Sequence, residues 1–212
     1  MVATQRKVTS ETLREKFSVT DELVWIPASK EDFWELIELP EFKIEYSKGQ
    51  IVGNMSYATE NHETIVANLI AMLHNALLTE GHKILGSNRP VFVGDCDEIF
   101  EPDIHTVFGK TEIYQYATTK TATMNPSVIV EVASKTTVNF DWNTKLPCYK
   151  TIPSLQHIIY VEQNKPYIEI FTRTKKPNQW LNEVCNDSSQ KFKVFGKTIA
   201  LKSIYQGVIF NM

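Results

Sequence analysis

Apolar and polar residues alternate from Phe42: Phe42, Ile44 and Tyr46 on one side of the pattern, Lys43 and Glu45 on the other. Ser47-Lys48-Gly49 then leads into Gln50-Ile51-Val52, so the period of two predicts a β-hairpin over Phe42 to Met55. The period changes near Asn61. Ile65, Leu69, Leu73 (with Met72), Ala76 and Leu77 form one apolar stripe that predicts a helix to about Thr79, ended by a left-handed Gly81. Short strands are expected around Lys83–Leu85, Val91–Val93 and Asp103–Phe108. The run SVIVEVA, Ser127 to Ala133, has the nearly continuous β-branched character of a strand buried on both faces. A helical segment from about Asp141 to Lys150 follows. Next come a hairpin of His157–Glu162 with Tyr167–Arg173, a strand near Trp180–Val184 and the C-terminal KTIALKSIYQGV. Upstream, Ser29-Lys30-Glu31-Asp32 resembles a capping box that opens a short FWELIEL helix, stopped at Pro40.

These elements predict an α/β (α+β) protein. Residues 1–41 read as an N-terminal helical extension packed on the core, and 42–212 as one domain, since no linker divides them. The length of 212 residues allows a sizeable core that needs no disulfide or metal merely to fold. Three cysteines, Cys96, Cys148 and Cys185, are odd in number and widely spaced, and suggest neither a disulfide framework nor a CxxC metal site. No segment has the length of a membrane span and no signal peptide is evident, so a cytoplasmic location without membrane association is expected. The net charge of −3 lacks the basic footprint usual for nucleic-acid binders. Lys145, Lys150, Arg173, Lys175 and Lys176 do make the later third locally basic.

Glu131 is the residue that changes the picture. It is flanked by Val128, Ile129, Val130 and Val132, where an unpaired carboxylate costs several kcal/mol in desolvation. Such a group persists when a cation, a proton or a basic partner offsets that cost, or when it sits at the strand's exposed end. Glu101-Pro102-Asp103 places a second acid at a strand entrance, where proline is tolerated. Carboxylates on adjacent strands can converge on a hard cation such as Mg²⁺. Asp141, Lys145 and Tyr149 recur at intervals of four, so a helix would stack them on one face, either as a surface ion pair or as part of a site. Pro147 fits that helix only near its start.

Together these blocks bear a resemblance. PDIHTVFGK, NPSVIVEVASKTT, DWNTKLPCY and IPSLQHIIYVEQ, with FKIEYSKGQIVGNMSYATENHETIVANL before them and TIALKSIYQGV after, look like the Uma-two family of bacterial restriction-endonuclease-like domains. The resemblance runs from about Phe42 to the end. It implies a PD-(D/E)xK core, that is, a central mixed β-sheet flanked by helices, here with extra β-hairpins, and Mg²⁺- or Mn²⁺-dependent phosphodiester hydrolysis. It also implies roles for particular residues. Asp103, Glu131 and Lys145 would be catalytic, Asp103, Glu131 and Glu45 would hold the metal, and His62, Asp141, Tyr149 and Lys135 would support them. The chain departs from the family pattern at Ala133, where the lysine of an ExK motif would stand, at Lys135 and at Gln50.

The function expected is therefore a metal-dependent endonuclease acting on nucleic acid, DNA first, as a homodimer. Two alternatives belong to other classes. One is a nuclease fold that binds nucleic acid or protein without cutting. The other is an interaction protein presenting Phe33 and Trp34, residues that ordinary core packing would also explain.

Overall fold

The computed structural model describes residues 7–20, 22–39, 41–54, 58–116, 120–134 and 136–210. Lys135 and Pro40 lie outside them. The chain opens with α1 (Ser10–Phe17), β1 (Val24–Pro27) and α2 (Lys30–Leu36). The expected hairpin is β2 (Lys43–Ser47) and β3 (Gln50–Asn54), and the long helix is α3 (Glu60–Leu77). Then come β4 (His82–Gly86), β5 (Val91–Val93), β6 (Glu98–Phe100), β7 (Ile104–Phe108), β8 (Ile113–Gln115), β9 (Thr121–Thr123) and β10 (Val128–Ala133). Short helices α4 (Val138–Phe140) and α5 (Leu146–Tyr149) lead to β11 (His157–Glu162), β12 (Ile168–Arg173) and β13 (Trp180–Cys185). The hairpin β14 (Lys191–Val194) and β15 (Lys197–Ala200) and the single turn α6 (Leu201–Ile204) follow.

Two sheets organise these strands, one ordered β1-β3-β2-β6-β5-β9-β8 and the other β13-β12-β11-β10-β7-β4. The second is mixed, because β10 runs parallel to β11 and antiparallel to β7. A parallel neighbour requires a crossover, and residues 134–156 supply it, with α4 and α5 on the way. On one face of β10, Val128, Val130 and Val132 pack with Ile65, Leu69, Leu73 and Leu77 of α3. On the other, Ile129 joins Ile158 and Tyr160 of its own sheet, Phe140 and Tyr149 of the crossover, and Val52, Val91 and Phe100 of the first sheet. The molecule is thus layered: α1 and α2, first sheet, crossover helices, second sheet, then α3. This is a mixed α+β fold, and the first sheet is mixed as well, since β5 runs parallel to β9. Because α3 closes the outer layer, Leu69→Ala is expected to cost about 2–5 kcal/mol in urea unfolding, the range for a fully buried leucine.

Local choices follow familiar physics. Lys48 and Gly49 both adopt positive φ, 50° and 75°, as a two-residue hairpin turn demands. Ser29 Oγ accepts the Asp32 N–H at 3.1 Å, capping α2 as its sequence signals. β1 pairs with β3, so the N-terminal segment contributes a strand as well as helices. Phe33 and Trp34 are core residues, and Trp34 stacks on Tyr116 at 3.4 Å. Arg173 is tied to the carbonyls of Leu155 and Ile152, each at 2.7 Å, and lies over Trp180; it is a structural clamp in the locally basic region.

Two expectations need correction. Residues 141–150 do not form one α-helix: α4 and α5 are joined by a π-helical stretch, Asp141–Lys145. Pro147 has no N–H to offer the carbonyl four residues back, so a regular ladder cannot run through it. Cys96 and Cys148 form a disulfide between the β5–β6 turn and α5, at a sequence separation of 52 that no local spacing announces. Among the described residues, no helix is long and apolar enough to cross a membrane.

Candidate active site

Strand β10 carries Glu131 on the face that meets the crossover. All six residues of β10 are buried, and Glu131 is 3% exposed. The crossover lies back over that face and delivers two partners to one oxygen. Glu131 Oε1 accepts the Tyr149 hydroxyl at 2.7 Å and the Lys145 ammonium at 3.2 Å. Tyr160, on the parallel neighbour β11, anchors the start of the π-helical stretch by donating to the Asp141 carbonyl at 3.0 Å.

Lys145 sits among three acids. Its Nζ is 2.9 Å from Glu45 Oε1, 3.0 Å from Asp141 Oδ1 and 3.2 Å from Glu131 Oε1, with the Phe140 ring at 5.4 Å. An ammonium has three N–H groups, and here three carboxylates surround it. Asp141 Oδ1 makes its ion pair with Lys145 without a well-directed hydrogen bond. Glu45 comes from β2 in the opposite sheet and also accepts the Glu101 N–H at 2.7 Å.

Asp103 stands one step before β7, where the β7–β10 register (Ile104 opposite Val130) sets it beside Glu131. Its Oδ2 accepts the Val132 N–H at 2.8 Å and lies 3.3 Å from His62 Nε2; its Oδ1 is 3.0 Å from Lys43 Nζ. His62 is placed by the start of α3, where Thr59 Oγ1 accepts the His62 N–H at 3.1 Å as an N-cap. Lys43 is held by close strand contact: a Cβ on Gly53 of β3 would fall 2.5 Å from the Lys43 carbonyl. Lys43, Glu45, His62, Asp103, Glu131, Asp141 and Lys145 line one cavity of about 440 Å³.

The electrostatics divide the acids. Burial pushes the Asp103 carboxyl upward, but Lys43, His62 and the Val132 N–H outweigh it and hold the group well below the usual range. Glu131 goes the other way: burial, with Asp141, Asp103 and Glu45 nearby, raises it to about 8 against the pull of Lys145. Glu45 is also raised, by burial, with Lys145 opposing. Burial disfavours the charged forms of His62 and Lys145, yet Asp103 lifts the first and the three carboxylates lift the second.

The sequence expectations Asp103, Glu131, Glu45, His62, Asp141, Lys145 and Tyr149 thus meet in one place, and Lys135 lies outside the described residues. Sequence reasoning passed over Lys43. Its one signal was the interval of two from Glu45, which puts both on the same strand face. Among the described residues no three His, Cys, Asp or Glu side chains stand arranged as a ready metal shell. The donor chemistry nevertheless suits a hard divalent ion: Glu45, Asp103, Glu131 and Asp141 line the cavity and offer only oxygen.

Residues 31–200 match the family model Uma2, described as "Putative restriction endonuclease". The chain belongs to the Uma2 family. Within curated proteins, it is 25% identical over 148 residues to the uncharacterized protein sll1609 of Synechocystis sp., covering 70% of this chain and 82% of that one. Among solved structures, it superposes on "a putative nuclease belonging to DUF820" from Anabaena variabilis with a TM-score of 0.64 and 14% identity, over 86% of this chain and all of that one. That structural likeness is one of fold. The Uma2 match also spans the hairpin, α3, β7, β10 and the crossover, the elements that carry every member of the acid cluster.

Proposed function

We propose that this Uma2 chain is a divalent-metal-dependent endonuclease that hydrolyses phosphodiester bonds of nucleic acid, with DNA as first candidate. The observation that carries the reading is the meeting of Asp103 and Glu131 on adjacent strands at the wall of a cavity, faced by Glu45 from the other sheet. Asp103, Glu131 and Glu45 would hold Mg²⁺ or Mn²⁺, whose contribution is Lewis-acid polarisation of a phosphate and acidification of a water. The protein's own groups do the rest. Tyr149 and Lys145 fix the Glu131 carboxylate, His62 and the Val132 N–H fix Asp103, and Asp141 shares the Lys145 charge. The cytoplasm is the proposed location, and pairing of two copies would present two such sites to two strands.

Titration with Mn²⁺ by calorimetry, run beside cleavage assays on DNA and RNA, tests this. Saturable binding with cleavage is expected from the wild type, and neither from Asp103→Asn. One observation favours a second reading. Lys145 already stands as an internal cation among Glu45, Glu131 and Asp141, as suits a nuclease fold that binds without cutting. Metal binding or nucleic-acid binding with no turnover on any substrate would select that reading.

A further inference from the structure

The cleft holds two lysines, and they are placed differently. The Lys145 side chain is 5% exposed and surrounded by three carboxylates, each within 3.2 Å. Turning its ammonium toward a ligand would break three buried ion pairs at once. The Lys43 side chain is 49% exposed, lines the same cavity, and has Asp103 as its ion-pair partner among the described residues. One carboxylate oxygen at 3.0 Å engages one of its three N–H groups, which leaves two for an incoming anion.

We propose that Lys43, and not Lys145, is the amine that contacts the phosphate of the nucleic acid. The inference rests on the nuclease reading for the identity of the anion, and on the position of Lys43 for the contact itself. Charge supports it. Four acids line the cavity, and a phosphodiester brings a further negative charge, which the more exposed of the two lysines is free to meet. Lys43 also stands on β2 two residues from Glu45, so strand geometry aims both into the cleft. Releasing Lys43 toward a ligand breaks one ion pair, whereas Lys145 would have to abandon three. Lys145 is then the internal counterion of the acids, and Lys43 the substrate contact.

The test compares the full-length wild type, Lys43→Met and Lys43→Arg. Binding of short DNA and RNA oligonucleotides is followed by anisotropy across a salt series in EDTA, cleavage is followed in Mn²⁺, and Mn²⁺ affinity is measured by calorimetry. Lys43→Met is expected to weaken binding about tenfold at low salt and to flatten the logarithmic salt slope by about one unit, the signature of one lost phosphate contact. Its kcat/KM should fall about a hundredfold, with Lys43→Arg recovering part of both. The thermal unfolding temperature of Lys43→Met should fall modestly, because buried Asp103 loses one cation but keeps His62 and the Val132 N–H, and Lys43→Arg should stay near wild type.

Wild-type cleavage with an unchanged Lys43→Met salt slope would overturn the Lys43 contact and leave the nuclease reading in place. No cleavage by any variant, but a flattened slope in Lys43→Met, would keep the contact and remove the nuclease reading. A change in Mn²⁺ affinity alone, without a change in slope, would overturn the contact and reduce Lys43 to a positioning residue for Asp103. A wild type that binds neither oligonucleotide overturns both.

Discussion

Lys145→Met is expected to destabilise the protein by about 3–5 kcal/mol, the range for breaking a buried ion pair from one side. For a chain of this length that corresponds to a fall in Tm of roughly 6–20 °C. Methionine fills much of the same space and sits well beside the Phe140 ring, so the loss is one of charge and not of packing. Glu45, Glu131 and Asp141 would be left in the cleft without their common cation. Lys43 cannot replace it while it is engaged with Asp103.

The penalty should depend on pH in a defined direction. Glu131 and Glu45 already bind protons more readily in the folded chain than in the unfolded one, because of burial. Near pH 5 Glu131 and Glu45 can take up protons at little cost, and the variant should approach wild type. Near pH 8 the unfolded chain keeps them ionised while the fold resists ionisation, and the deficit should be largest. Urea unfolding at both pH values measures it. The double variant Lys145→Met/Glu131→Gln should be more stable at pH 8 than Lys145→Met alone, because the residues share one network. Equal stability of Lys145→Met and wild type at both pH values would show that the acids do not depend on Lys145.

How much of this was legible depended on whether the decisive contact was local. Glu131 announced itself because a carboxylate inside a run of β-branched residues needs a partner wherever the strand goes. Asp103 was visible through the proline before it, and the α2 cap through Ser29. Strand register then converts these one-dimensional signals into a meeting of Asp103 with Glu131, since Ile104 pairs with Val130. Lys43 was hidden for the same reason that Ile44 was clear. Alternation separates the two faces of β2 but does not say that the polar face looks into a cleft; that follows only when the first sheet stacks against the second. The three-residue strands β6, β8 and β9 are too short for a period of two to register. The Asp141-Lys145-Tyr149 spacing predicted a shared face correctly but by an α-helix, and the π-helical stretch before Pro147 delivers Lys145 instead. Cys96 and Cys148 meet because the β5–β6 turn packs on α5, a tertiary fact.

Glu131→Gln separates function from stability. Under the nuclease reading it removes a metal ligand, and since even an outer-layer partner of a metal site costs about 10–100-fold when lost, cleavage should fall by more than about a hundredfold. The fold should survive. Glutamine keeps an oxygen to accept the Tyr149 hydroxyl, and Lys145 retains Glu45 and Asp141. Stability should also change its pH profile. Glu131 moves from an ordinary value of 4.5 to about 8 on folding, so its contribution is full below pH 4.5 and is lost as pH rises toward 8. Buried His105 and His157 act in the opposite sense. Burial lowers them to about 3 and about 4, and their neutral forms favour the fold until pH drops below the unfolded value of 6.5. Subtracting the variant from the wild type removes the histidines, which both share, and isolates Glu131. In EDTA the variant should therefore gain on the wild type steadily from pH 5 to pH 8. A variant that loses stability in parallel with activity, with no pH-dependent gain, would mean that Glu131 is held as a charged structural partner of Lys145 and Tyr149. The acid cluster would then be a core ion network, and the case for a catalytic site would fall with it.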